Sequence, residues 1–101
     1  MTLPRGIAVP FQIERIALAG GVQTEIICPY TCQSLTVSNG TTGDLRLISV
    51  EDGSQYHIIA SGFERIIWLP QTQGASPLFH KNDVVGWLRA DDAGIVILQW
   101  A

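Results

Sequence analysis

Charged side chains are scarce in this chain. Asp, Glu, Lys and Arg make up 15% of its 101 residues, and lysine occurs once, as Lys81. An average soluble protein has roughly 25% charged residues, and interfaces between subunits are depleted in lysine. The shortage predicts wide uncharged zones on the surface. We expect other subunits to cover these zones in a homo-oligomer or a larger assembly.

Basic patches and long apolar runs are also lacking. The net charge is −3 and the sequence pI is about 5.1, whereas proteins that bind nucleic acid present a basic face to the phosphates. No apolar run reaches the roughly 18 residues of a membrane-spanning helix. The N-terminal stretch MTLPRGIAVP does not have the pattern of a secretory signal peptide. We therefore expect no nucleic-acid partner, no membrane partner, and synthesis in the cytoplasm without export.

The two cysteines are too few for a disulfide scaffold. Cys28 and Cys32 enclose Pro-Tyr-Thr, which is one residue longer than the spacing in the CPYC motif of glutaredoxins, and no amphipathic helix follows them. Together with His57 and His80 they complete the donor set of a zinc site, but the histidines lack the paired spacing of zinc modules. We expect two thiols beside a strand turn, and no metal.

No sequence pattern of an enzyme is present. A cupin-like metal site would need a second histidine where the chain has Ile59, and the G-x-S-x-G elbow of hydrolases is absent. The acidic pairs Glu51-Asp52 and Asp91-Asp92 precede glycine in turns, where aspartate is favoured for its hydrogen bonds to the backbone. We expect no catalytic residue and no cofactor, and keep a small metal-dependent enzyme as a third interpretation.

Apolar residues alternate with polar ones in short segments separated by Gly, Pro, Asn and Asp. This period of two is typical of antiparallel strands joined by short turns. It predicts an all-β chain in which residues 11–101 form a single jelly-roll-like antiparallel β-sandwich of about eight strands. Residues 1–10 contain Pro4, Gly6 and Pro10 and are predicted to form an extended N-terminal arm.

Local patterns add detail to this sandwich. Asn39-Gly40-Thr41 fits a glycosylation sequon, but we predict a hairpin turn over residues 39–43, because an Asn-Gly pair readily adopts positive φ. Residues 95–100 predict a final strand paired within a sheet, because an unpaired apolar edge invites aggregation. Residues 64–69 are apolar on both faces of the predicted strand, which indicates a strand covered on both sides or covered by a neighbouring subunit.

The three tryptophans support two interpretations. Trp68 and Trp87 lie in predicted central strands, where they would fill the core of a small domain. Trp100, at the chain end, is predicted to be exposed or buried at an interface. An alternative is a carbohydrate-binding module that uses exposed tryptophans and a predicted loop at residues 70–77, since flat aromatic rings can stack on sugars.

Two segments carry a resemblance to a known class of proteins. NGTTGDL at residues 39–45 and IASGFERIIWLP at residues 59–70, together with an extended arm and a terminal strand, resemble small virion proteins of tailed bacteriophages. The resemblance implies a capsid decoration or cement protein, or a head–tail or tail component, that catalyses no reaction. It also implies a location in the virion after synthesis in the host cytoplasm.

The partners expected from this resemblance are other copies of the chain or other virion subunits. We expect contacts through apolar strand faces and through the N-terminal arm, because apolar and aromatic residues dominate the energetics of interfaces. The predicted contact residues are Phe11, Ile13, Trp68 and Trp100.

Overall fold

The computed structural model describes residues 12–68, without the side chain of Trp68, and residues 79–101. These residues form eight strands and no helix, so the predicted all-β class is confirmed. The strands are β1 (Gln12–Leu18), β2 (Gln23–Ile27), β3 (Ser34–Gly40), β4 (Leu45–Ile48), β5 (Tyr56–Ile59), β6 (Glu64–Trp68), β7 (Val84–Ala90) and β8 (Gly94–Trp100).

The strands form two four-stranded antiparallel sheets. Sheet A has the order β1-β8-β3-β6, and sheet B has the order β2-β7-β4-β5. Because β8 lies between β1 and β3, the prediction that the last strand is paired within a sheet is confirmed. Trp87 lies in a central strand, as predicted, but Trp68 does not, because β6 is an edge strand of sheet A.

One face of each sheet contributes to a common hydrophobic core. Alternate residues of a strand point to the same face, and the buried apolar residues follow this alternation in both sheets. The core cluster consists of Leu18, Ile26, Cys28, Cys32, Leu35, Val37, Leu45, Leu47, Ile59, Phe79, Leu88, Ala90, Val96, Leu98 and Trp100. The two sheets therefore pack in a sandwich-like arrangement, and each sheet keeps an outer face directed away from the core.

Some element boundaries differ from those predicted. β3 spans seven residues, although its sequence predicts only a short strand around Leu35 and Val37. A short edge strand predicted near residues 78–80 is represented by an isolated bridge between Phe79 and Cys32. The predicted arm at residues 1–10 and the predicted loop at residues 70–77 lie outside the described residues.

The turn predicted over residues 39–43 is right in part: the chain bends at residues 41–43 between β3 and β4, but it passes to the other sheet and forms no hairpin. Asn39 and Gly40 do not take part in the bend. Both residues belong to the end of β3, and neither has a positive φ. Asn39 is 2% exposed, so its amide is not accessible to a glycosyl donor either. The Asn-Gly pair does not form the turn here because Asn39 and Gly40 pair with Val96 and Ile95 of β8 and so continue β3.

The Asn39 amide satisfies all of its hydrogen-bonding groups. Its Nδ2 donates to the carbonyl oxygens of Gly43 and Ile59, at 2.9 and 2.8 Å. Its Oδ1 accepts from the N–H and the hydroxyl of Thr41, at 2.9 and 2.7 Å. A buried polar group is tolerated only when it is paired in this way. The amide thus fixes the end of β3 and the connection from sheet A to sheet B.

We predict that Asn39→Asp destabilises the fold by roughly 2–4 kcal/mol, because it removes both N–H donors and buries a carboxylate. Urea denaturation measures the loss as a lower midpoint at constant slope. Thr42→Ala is the matched control, since Thr42 is exposed in the same connection and should change stability by less than about 0.5 kcal/mol. Equal effects of the two substitutions would contradict the role given to the amide.

Candidate interaction surface

The outer face of sheet A carries exposed apolar side chains on both edges and at its centre. Its positions alternate with those of the core. They are Ile13, Arg15 and Ala17 of β1, Ile95, Ile97 and Gln99 of β8, Thr36, Ser38 and Gly40 of β3, and Glu64 and Ile66 of β6. Ile13, Ile66 and Ile95 are 54%, 51% and 41% exposed. Within this set only Arg15 and Glu64 are charged, so the surface is poor in charge.

The four predicted contact residues differ from one another in their location. Ile13 lies on the outer face of sheet A and is exposed. Trp68 is paired with Ser34 at the end of β6, and Phe11 lies outside the described residues. The prediction of a contact role for these three residues stays a prediction.

Trp100 is fully buried, so the prediction that it is exposed or lies at an interface is wrong. It pairs with Gln12 on one side and Leu35 on the other, and its ring meets the Phe79 ring edge-on at 6.4 Å between centroids. The indole N–H donates a 2.8 Å hydrogen bond to Glu14 Oε1. A large ring with a paired N–H is well suited to fill a small core.

The outer face of sheet B has a different character. Arg46 and Arg89 are direct neighbours on β4 and β7, and Glu25 of β2 is opposite Trp87. Trp87 is half-buried. The Arg46 guanidinium carbon lies 4.9 Å from the centroid of the Tyr56 ring, a cation–π contact. This face also carries the exposed apolar side chain of Ile58, but its neighbouring arginines and its aromatic rings distinguish it from the outer face of sheet A.

A cavity of about 300 Å³ opens beside the edge strands β5 and β6. It is lined by Leu47, Ile48, Ser49, His57, Arg65, Ile66, Ile67 and Val85. The Ser49 hydroxyl donates to the Gln55 carbonyl oxygen at 3.3 Å. Within residues 12–68 and 79–101, no hydrogen bond joins Ser49 to His57, so these two residues do not form a nucleophile–base pair of the kind that acyl transfer requires.

Of the residues considered for a zinc site, Cys28 and Cys32 lie beside each other, whereas His57 lies on β5. In the described part of the chain, no three His, Cys, Asp or Glu side chains are grouped closely enough to hold a metal ion. His57 is exposed on β5. His80 lies before β7, with Nδ1 3.6 Å from Asp83 Oδ2. The shared donor set suggested by the sequence therefore has no common centre.

Cys28 and Cys32 are free and buried. Their Sγ atoms are 3.6 Å apart, and the Cys28 thiol donates to the Tyr30 carbonyl oxygen at 2.8 Å. Burial, with a further contribution from the neighbouring Cys28, raises the pKa of Cys32 to about 12. Because the thiolate is the reactive form, the geometry disfavours thiol chemistry at Cys32. It agrees with the prediction of two thiols beside a strand turn.

The acidic pairs are found in turns, as predicted. Hydrogen bonds from the side chain and the backbone N–H of Ser54 lower the pKa of Asp52, and the backbone bond to Asp52 Oδ1 is 2.8 Å long. The Thr42 hydroxyl donates to Asp92 Oδ2 at 3.2 Å. These carboxylates bond to groups in turns and connections, which is the usual task of aspartate in such places.

Sequence reasoning missed Ile66, Ile95 and Ile97 as members of a common surface. A signal was available, because residues 95–98 are four consecutive apolar residues and therefore make both sides of β8 apolar. The same pattern in residues 64–69 correctly indicated β6. What the sequence did not contain was the pairing that places both strands in one sheet.

Comparisons with protein-family models, with curated proteins and with solved structures find no match to this chain. The part of the chain that the structure describes contains no helix long and apolar enough to span a membrane. Function is therefore inferred from the surfaces described above.

We predict that the buried thiols make the fold less stable in alkaline solution. The Cys32 thiol ionises at its usual pKa of 9.0 in the unfolded chain but near 12 in the folded chain. Above pH 9 the unfolded chain binds fewer protons than the folded chain, so stability falls as pH rises. The Tm from calorimetry should therefore decrease between pH 9 and 12.

Cys32→Ala should show a smaller decrease of Tm over the same interval, because it removes one of the groups that cause it. Part of the decrease should persist, since burial also raises the pKa of Tyr30. An identical pH dependence in the variant and the unaltered chain would be incompatible with this explanation.

Proposed function

We propose that this chain is a non-enzymatic structural protein that assembles by burying the outer face of sheet A against neighbouring subunits. The observation that carries the proposal is the exposure of Ile13, Ile66 and Ile95 on one sheet face. Exposed apolar side chains on one sheet face often mark a protein–protein interface. The scarcity of charge in the sequence supports the same conclusion, and among the described positions of this face one side chain is positive and one is negative.

We further propose that the assembly is a virion of a tailed bacteriophage, in which the chain is a decoration, cement, head–tail or tail component. The resemblance of the two sequence segments supports this proposal. The strand orders 1-8-3-6 and 2-7-4-5 support a jelly-roll topology, in which eight strands form two packed sheets. Jelly rolls build many viral capsid domains.

The N-terminal arm is part of the proposal. Residues 1–10 precede β1, an edge strand of sheet A, and their sequence contains Leu3, Ile7 and Val9. Apolar residues of the arm would add area to a contact with a neighbouring subunit.

We expect Ile66→Asp to weaken self-association by at least about tenfold, because it places a carboxylate in a desolvated contact. Sedimentation velocity measures the dissociation constant. Ile58→Asp is the matched control, because Ile58 is 56% exposed but pairs with Arg46 on the other sheet. Circular dichroism should show both variants folded.

The control should associate like the unaltered chain. If Ile66→Asp and Ile58→Asp behave alike, the outer face of sheet A is not the contact surface. A chain that stays monomeric without any substitution would contradict the proposed assembly itself.

A carbohydrate-binding module is the second candidate, supported by half-buried Trp87 on the outer face of sheet B. Fully buried Trp100 cannot take part in it. A glycan array should then give binding that Trp87→Ala abolishes while Ile66→Asp leaves it unchanged. The absence of any bound glycan would exclude this candidate.

A further inference from the structure

The outer face of sheet A has a ridge and a groove along its two inner strands. β8 contributes the large side chains Ile95, Ile97 and Gln99, whereas β3 contributes the small residues Thr36, Ser38 and Gly40. Each large residue is the register partner of a small one: Ile95 of Gly40, Ile97 of Ser38, and Gln99 of Thr36. The groove on β3 therefore runs beside the ridge on β8, and each small residue lies in the same row of register partners as a large one. Such a row across the strands is called a level of the sheet.

Gly40 makes one part of this groove permanent. A Cβ atom at this position would lie 2.5 Å from the carbonyl oxygen of Ile95 in the same chain. No side chain can be accommodated at such a distance without a shift of the backbone. The face therefore keeps a recess next to the exposed Ile95 side chain.

The charges of the face lie on its opposite edges. Four register partners form one row across the sheet: Arg15 on β1, Ile97 on β8, Ser38 on β3 and Glu64 on β6. Within residues 12–68 and 79–101, neither Arg15 nor Glu64 forms an ion pair. The Glu64 carboxylate accepts a 3.1 Å hydrogen bond from the Ser38 hydroxyl. The two edges thus present opposite charges at the same level of the sheet.

We propose that the neighbouring subunit is a second copy of this chain, packed face to face on sheet A by a two-fold axis parallel to the strands. The inference rests on the proposed function and specifies its partner. β8 and β3 are the inner strands of the sheet, so the axis would lie above the line between them. A half-turn about it places β8 of one copy on β3 of the other, and β1 on β6.

This arrangement makes the face complementary to itself, as a two-fold interface must be. Ile95 of one copy faces the recess at Gly40 of the other, and Ile97 faces Ser38. Ile13 meets Ile66 of the second copy at both edges. Packed sheets keep their strand directions within about 30°, so the levels remain matched near the axis.

Charge selects this axis over the alternative. With strands aligned, Arg15 of each copy lies over Glu64 of the other, which forms two ion pairs at the rim. A two-fold axis perpendicular to the strands would instead place β1 on β1 and β6 on β6. With that axis at the row of Ile97 and Ser38, Arg15 would face Arg15 and Glu64 would face Glu64, and such like-charge contacts disfavour the alternative.

A charge exchange tests the arrangement. Arg15→Glu and Glu64→Arg should each raise the dissociation constant of the dimer by about tenfold at low salt, because each turns both ion pairs into repulsive ones. The double variant should restore the constant to near that of the unaltered chain. Arg89→Glu is the control, since it makes the same charge change on the outer face of sheet B and should leave the dimer intact.

Cysteine cross-linking provides a second, independent readout. The native cysteines are buried, so new surface cysteines can be oxidised selectively. A mixture of the Ile13→Cys and Ile66→Cys variants should yield a cross-linked heterodimer, because these positions face each other. A cross-link within the Ile13→Cys variant alone would show that β1 of one copy lies on β1 of the other. A cross-link within the Ile66→Cys variant alone would show the same for β6, and either result would overturn the proposed axis.

The outcomes separate the two proposals. If the unaltered chain associates and Ile66→Asp weakens it, but the double charge variant is not restored, the proposed function stands and the two-fold arrangement is overturned. A monomeric unaltered chain overturns both. Restoration by the double variant together with cross-links only in the mixture supports the arrangement.

Discussion

Sheet A has apolar side chains on both of its faces, and the rest of the structure depends on how these two faces are covered. In a two-layer protein, each sheet can bury only one face within the chain. The inner side of β8, with Val96, Leu98 and Trp100, is almost completely buried, but Ile95 and Ile97 continue the same strand on the outer side. Burial of apolar surface contributes a free energy of about 25 cal/mol per Å², and apolar surface that stays in water does not contribute it. The fold is therefore complete internally while sheet A retains surface that a partner can cover.

Polar groups in the interior serve the fold. The Asn39 amide bonds across both sheets through Ile59, and Glu14 pairs with the indole of Trp100. The Tyr30 hydroxyl donates to the Trp100 carbonyl oxygen at 2.9 Å. Each of these groups is engaged in holding chain segments together, so the chemistry that distinguishes this molecule lies on its outer surfaces.

The period-two alternation was sufficient to predict the all-β class and most strands, because it depends only on local geometry. It could not predict which strands are neighbours. Trp100 was expected at an interface because it ends the chain, whereas its burial is decided by pairing with β1 and β3, which are distant in sequence. The hairpin predicted at residues 39–43 failed for the same reason, since the strand that follows β3 belongs to the other sheet. Ile13 was found by pattern, but its companions Ile66 and Ile95 required the sheet order.

The most direct measurement is the molar mass of the unaltered chain by static light scattering during dilution. If the outer face of sheet A is an assembly surface, the mass at high concentration should be at least twice the 11.0 kDa of one chain and should fall toward that value on dilution. A mass of 11.0 kDa at every concentration, in a folded sample, would contradict the conclusion that this face is covered by another subunit.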